Sequence, residues 1–206
     1  MSKQVIKMKV KLIATLLALL LGCTAGKTEV EIEEVVEDIS PITWSDCSYQ
    51  LGDHPCDFTL KDQNNEDWNL YSHYGNIILV DLSTQWCGYC QVAAADVEMI
   101  QNDYADENFI YATILIEDYA GNPASLELAQ SWVDHFGITS SPVLVGSRDL
   151  IDGNGETGWE VTGWPTFALI DHKMIIRGYI RGYSNSAIIT GIDSLLLESK
   201  ADSGQN

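Results

Sequence analysis

Positive charge is what this sequence has least of. Its 206 residues hold 11 Lys and Arg against 30 Asp and Glu, a formal net charge of −19. Nucleic acid and anionic membrane surfaces are therefore poor partners, because binding them needs a basic face; the acidity reads as a device for solubility. Between Lys61 and Arg148 there is no Lys or Arg at all. The apolar run Leu12 to Leu21, broken by Thr15, is too short to span a bilayer comfortably. A second Cys-x-x-Cys is missing, and His54, His73, His135 and His172 lie far apart, which argues against a structural zinc site and favours packing or surface roles for the histidines. Asp152-Gly153-Asn154-Gly155-Glu156 lacks the spacing of a calcium loop and reads as a plain turn. No internal repeat is present.

What is there begins with a leader. Lysines at positions 3, 7, 9 and 11 precede the apolar run, which ends in Leu20-Leu21-Gly22-Cys23. Residues 1–22 are expected to be a signal peptide, and the small residue before Cys23 resembles a bacterial lipobox, which would make Cys23 the lipidated N-terminus; plain secretion is the alternative. Loss of the four leader lysines takes the net charge from −19 to −23. Thr24 is not the aspartate that retains lipoproteins in the inner membrane of enteric bacteria, so the outer membrane is favoured while either fits. Residues 23–43, rich in Glu and Asp with scattered Val and Ile, read as an extended acidic linker. The globular domain is expected over 44–200, one unit by length and by its 46% hydrophobic content, with a disordered tail at 201–206.

Lipidation of Cys23 would leave an even set of four cysteines, as suits an oxidising, extracytoplasmic compartment. Cys87 and Cys90, in Trp86-Cys87-Gly88-Tyr89-Cys90, follow the apolar run Ile77 to Leu82 and precede a helical pattern. A thiol at a helix start faces unpaired backbone N–H groups and the positive end of the dipole, loses its proton readily and becomes a nucleophile. The spacing thus points to a redox pair, with a soft-metal site for copper or zinc as the competing reading. Cys47 and Cys56 bracket the turn-rich Gly52-Asp53-His54-Pro55 and read as a structural staple; a second redox couple that feeds electrons to Cys87 and Cys90 is the alternative.

The remaining periodicities alternate strand and helix. A hairpin is expected from Phe58 to Leu70 with its turn at Asp62 to Asp67. A strand buried on both faces follows over Ile77 to Leu82, then a helix from Gly88 to about Asp103 and a strand over Phe109 to Ile116. Pro123 opens a helix that ends at Gly137, and Val143 to Val145 is a short strand. Thr166 to Ile170 and Met174 to Ile180 are strands joined by Asp171-His172-Lys173, and a last helix runs from Ser184, its N-cap, to Ser199. The class is α/β with a mixed sheet.

That order, with Trp164-Pro165-Thr166 before a strand, resembles the thioredoxin superfamily over roughly residues 50–198. The upstream hairpin, the segment inserted between Ile116 and Trp159, and the run Gly163 to Asp171 are most similar to the membrane-tethered TlpA/ResA-type redoxins. The resemblance implies a thioredoxin-like fold, with a central mixed sheet flanked by helices, an N-terminal hairpin and a central insertion. It makes Cys87 the exposed attacking thiol and Cys90 the buried resolving one. Pro165 becomes the proline of the cis-proline loop, and Asp81 the buried acid that moves a proton for Cys90, with a raised pKa. Trp86, Tyr89, Trp164 and Thr166 would line the substrate groove. The sequence departs from the family pattern where Gln91-Val92-Ala93-Ala94-Ala95 replaces the helix-kinking proline and the helix glutamate, and where Trp164 stands in place of Thr, Val or Ile. The function implied is a cell-envelope thiol-disulfide oxidoreductase acting on exported proteins, recharged by a redox partner, needing no cofactor or metal and expected as a monomer. With no nearby cation, and with Tyr89 in place of the histidine of strongly oxidising enzymes, the reductase direction is favoured; Arg177 or Arg181 folding close would reverse this.

Overall fold

The computed structural model describes residues 41–204. The expected leader, the lipidation site Cys23, most of the acidic linker and residues 205 and 206 lie outside the described residues. The chain order is β1 (Thr59–Lys61), β2 (Asp67–Asn69), β3 (Ile77–Ser83), α1 (Gly88–Ala94), α2 (Val97–Asp103), β4 (Phe109–Leu115) and α3 (Leu126–Phe136). It continues with β5 (Val143–Val145), β6 (Ile151–Asp152), β7 (Trp159–Glu160), β8 (Thr166–Ile170), β9 (Ile176–Arg181) and α4 (Asn185–Asp202).

Five strands form the main sheet in the order β5-β4-β3-β8-β9. β3 is central, parallel to β4 and antiparallel to β8, and all seven of its residues are buried. Its alternation sorts two cores. Ile77 and Leu79 pack with Ala93, Val97, Ile100, Trp132, Ile188 and Ile192, so all four helices contribute to one face. Ile78, Val80 and Leu82 pack with Tyr49, Trp68, Leu70 and Trp159, so the other face is covered by the N-terminal hairpin and by chain that includes β7. An apolar strand covered on both sides is what a double-faced Val/Ile/Leu run requires.

Four boundaries differ from the sequence reading by more than one residue. The helix expected from Gly88 to Asp103 is broken into α1 and α2 without a proline. The Asp96 N–H turns back to Ala93 O at 3.0 Å, a tighter turn than α-helix, and the Asp96 carboxylate accepts the Tyr183 hydroxyl instead of capping α2. α3 starts at Leu126, not Pro123, because the Ser125 hydroxyl accepts the Leu128 N–H at 3.2 Å as N-cap, while Pro123 lies in an isolated bridge with Glu117. β9 begins at Ile176 because Asp171 gathers the N–H groups of Lys173 and Ile175 on one oxygen, each at 2.9 Å, which puts Met174 at φ +60°. α4 runs to Asp202, two residues past the expected end of the domain. Ser184 does cap α4, and Gly137, at φ +68°, ends α3 in the left-handed conformation that glycine adopts without a Cβ clash.

Candidate active site

β3 ends at Ser83, and four residues later Cys87 takes an extended conformation as the N-cap of α1. Its sulfur accepts the Cys90 N–H at 3.2 Å. The two cysteines are disulfide-bonded, with Cα atoms 5.2 Å apart. Cys90 is fully buried, and Cys87 is 6% exposed. The resemblance describes an exposed thiol at Cys87; the structure leaves that sulfur a small window, although it remains the more accessible of the pair. Around the window stand Tyr89, 71% exposed, and Trp86, 42% exposed.

Asp81 and Ser83 share the β3 face that carries Ile77 and Leu79, the face against which Cys87 and Cys90 pack. Asp81 is buried. Its Oδ1 accepts the Ser83 hydroxyl at 2.6 Å and its Oδ2 the Tyr111 hydroxyl at 3.3 Å. Burial pushes the carboxyl up to about 7 from 3.8, with the hydroxyls of Ser83, Tyr111 and Thr113 pulling the other way. A carboxyl so poised can take a proton at neutral pH and return it.

The Trp164–Pro165 peptide is cis, and Pro165 is buried at the start of β8. Trp164 meets Trp86 edge to face with ring centroids 6.2 Å apart, which brings this loop to the Cys87–Cys90 motif. Thr166 does not line the groove. It is fully buried and its hydroxyl donates to Gly163 O at 2.7 Å, so it shapes the turn before the proline.

The sequence reading missed the group behind Trp86. Its indole N–H donates to Oε1 of buried Glu117 at 2.7 Å, and Arg148 clasps both oxygens of that carboxylate at 2.5 and 2.7 Å. The cation that folds towards the motif is therefore Arg148. Arg177 instead pairs with Asp171 and Glu198, and Arg181 with Glu160. Arg148 and the Trp86 bond hold the Glu117 carboxyl below its usual range, so the pair brings little net charge to the motif. Beside it, Gln91 donates to Gln85 O at 2.9 Å and to the Tyr119 hydroxyl at 3.1 Å.

Cys47 and Cys56 are disulfide-bonded, with Cα atoms 4.8 Å apart. Cys56 packs on the core of the opposite sheet face from Cys87 and Cys90. The histidines are engaged in packing or local bonds: His54 stacks on Trp44, His73 on Trp68, His135 meets Phe136 edge to face, and His172 lies 3.4 Å from Asp202. In the Asp152 turn, both carboxylate oxygens accept local donors from Asn154 and Thr157.

The fold is thioredoxin-like, of the kind found in thiol:disulfide interchange proteins, with a cysteine pair at a helix start. The chain is 21% identical to the exposed lipoprotein thioredoxin Etrx1 of Streptococcus pneumoniae, with a TM-score of 0.57 over 68% of this chain and 100% of that one. It is also 21% identical to a thiol:disulfide interchange protein of Chlorobium tepidum, with a TM-score of 0.58 over 71% of this chain and 98% of that one. In sequence it is similar to the thioredoxin-like protein YneN of Bacillus subtilis, 23% identical over 128 residues, which are 62% of this chain and 69% of that one. No family model matches the chain. Among the described residues, no helix is long and apolar enough to cross a membrane.

Proposed function

We propose that this chain is a cell-envelope thiol-disulfide oxidoreductase that reduces disulfides in exported proteins through Cys87 and Cys90, held to a bacterial membrane by lipid on Cys23. The observation that carries the reading is the placement of the cysteine pair on the same sheet face as a buried carboxyl of near-neutral pKa. The Cys87 thiolate attacks one sulfur of a substrate disulfide and the other sulfur leaves with the electron pair. Cys90 gives its proton to Asp81, and the Cys90 sulfur then attacks Cys87. The Cys87–Cys90 bond forms as the bond from Cys87 to substrate breaks, so the substrate is reduced by two electrons and the protein is oxidised. A dithiol partner must then recharge the motif.

The reductase direction rests on charge. Arg148 is matched by Glu117, so thiolate stabilisation falls mainly to the helix start, and the potential belongs well below the approximately −120 mV of a strong oxidant. Pro165 and Trp164 offer backbone and an aromatic wall to the incoming peptide. The Cys47–Cys56 bond acts as a staple, which agrees with its place across the sheet from the motif.

Trapping with Cys90→Ala tests the reading. The variant should accumulate mixed disulfides through Cys87 with exported proteins, and the reduced wild type should reduce insulin. No linked partner, together with copper or zinc bound stoichiometrically as isolated, would replace exchange by metal delivery. Recovery of Cys23→Ser in the membrane fraction would remove the lipid anchor.

A further inference from the structure

We infer that Tyr111 is a positioning residue for the proton transfer at Asp81: its buried hydroxyl, in place of any cation, sets how readily that carboxyl exchanges a proton with Cys90. This rests on the exchange reading above and adds the group that tunes it.

The argument starts from the cations. Each Lys and Arg among the described residues is paired with a carboxylate other than Asp81: Lys61 with Asp67, Arg148 with Glu117, Lys173 with Asp202, Arg177 with Asp171, Arg181 with Glu160 and Lys200 with Glu107. An ionised Asp81 in the helix-face core therefore leans on dipoles alone. Its hydrogen bonds come from Ser83, its neighbour along β3, and from Tyr111 on β4, and the buried hydroxyl of Thr113, its register partner on β4, also favours the ionised form. Tyr111 is fully buried. Its strand is fixed from behind, where its backbone N–H donates to Gln101 Oε1 at 2.8 Å, so the phenol has no solvent alternative to this bond.

The other ionisable groups near the pair are Tyr183, on the segment before α4, and Asp96, at the break between α1 and α2. The Tyr183 hydroxyl is committed to Asp96. Cys90 faces the same core from α1. A phenol donates to a carboxylate without adding charge, so it favours the ionised form by less than an ammonium or guanidinium would. That leaves Asp81 a base strong enough to accept the Cys90 proton. Ionised Asp81 is the acceptor, so resolution of the mixed disulfide speeds up as pH rises through its pKa. Loss of the Tyr111 donor moves that rise to higher pH.

The test uses the purified full chain in its reduced form, with 13C-labelled aspartate carboxyls titrated by NMR and the Asp81 signal assigned with Asp81→Asn. In Tyr111→Phe the Asp81 midpoint should move up by about one pH unit, the size expected for one hydrogen bond to a charged group. Resolution of a mixed disulfide on Cys87, followed by release of an aromatic thiol, should shift with it and be about tenfold slower at a pH below both midpoints. Tyr111→Met is read in the same way if the phenylalanine variant does not fold. Tyr104→Phe removes a phenol–carboxylate bond to Asp193 on the surface and should leave both midpoints in place. A folded Tyr111 variant whose Asp81 midpoint stays within about 0.2 pH unit of wild type overturns the inference. The carboxyl titration needs no turnover: a Tyr111-dependent midpoint in a protein that resolves no mixed disulfide would count against the exchange reading instead.

Discussion

The indole N–H of Trp86 rests on Glu117 Oε1 at 2.7 Å, and Arg148 donates to both oxygens of the same carboxylate. The residue just before Cys87 is thus anchored by an ion pair contributed by the chain after β4, its carboxylate buried and its guanidinium more than half exposed. Removing either member leaves the other charge unmatched beside the motif. Glu117→Gln keeps an acceptor for the indole but frees Arg148, which should stabilise the thiolate and raise the redox potential by about 10–30 mV. Arg148→Gln should lower it by a similar amount. Equilibration with glutathione buffers measures both, and two shifts of the same sign would dissociate the pair from the redox chemistry.

Asp81 carries a pH signature in stability as well as in rate. Its folded pKa of about 7 lies above the ordinary 3.8, so the fold prefers the protonated form and ionisation works against it. Stability should fall as pH rises from about 4 to about 7 and stay lowered above that, by roughly 3–5 kcal/mol as an upper bound. Asp81→Asn should therefore be the more stable protein at pH 8, with the difference closing near pH 4, and should resolve mixed disulfides slowly. Urea unfolding at the two pH values checks the sign.

The Cys47–Cys56 bond closes a short loop and should act through the unfolded chain. Replacing both cysteines by Ser should cost about 2.5 kcal/mol on the loop-entropy estimate and leave insulin reduction nearly intact. Retained stability with lost turnover would turn the staple into a redox relay.

Trp164 tests client choice. Trp164→Val removes the ring that meets Trp86 and should change insulin reduction several-fold while a small aromatic disulfide is reduced at close to the wild-type rate. Equal effects on both would place Trp164 in the chemistry rather than in the groove. This contact is worth about 0.5–1.5 kcal/mol beyond its buried area.

Much of the fold was legible because its signals are local. β3 is a run of apolar residues, Cys87 and Cys90 lie in a five-residue motif, Ser184 and Gly137 are caps, and Cys47 and Cys56 flank a turn. What escaped depends on partners far along the chain. Tyr183 lies 87 residues from Asp96, and its hydrogen bond accompanies a helix break that no proline announces. Arg148 lies 31 residues from Glu117, and Tyr111 lies 30 from Asp81. Arginine and tyrosine carry no periodicity that names their acceptors, so the sequence does not single out Arg148, rather than Arg177 or Arg181, as the cation that folds towards the motif. Thr166 was misplaced for a related reason: adjacency to the proline does not tell which side of a turn a hydroxyl faces.

The complete burial of β3 makes the site's own foundation a gauge of its redox state. Amides in such a strand exchange with solvent chiefly when the whole domain opens, so the slowest deuterium uptake at Val80 or Leu82 reads global stability. Taken in the oxidised and the reduced protein, the two readings close a thermodynamic cycle. Their difference is the free energy by which folding favours the Cys87–Cys90 bond over the open dithiol, obtained with no client, no redox buffer and no turnover.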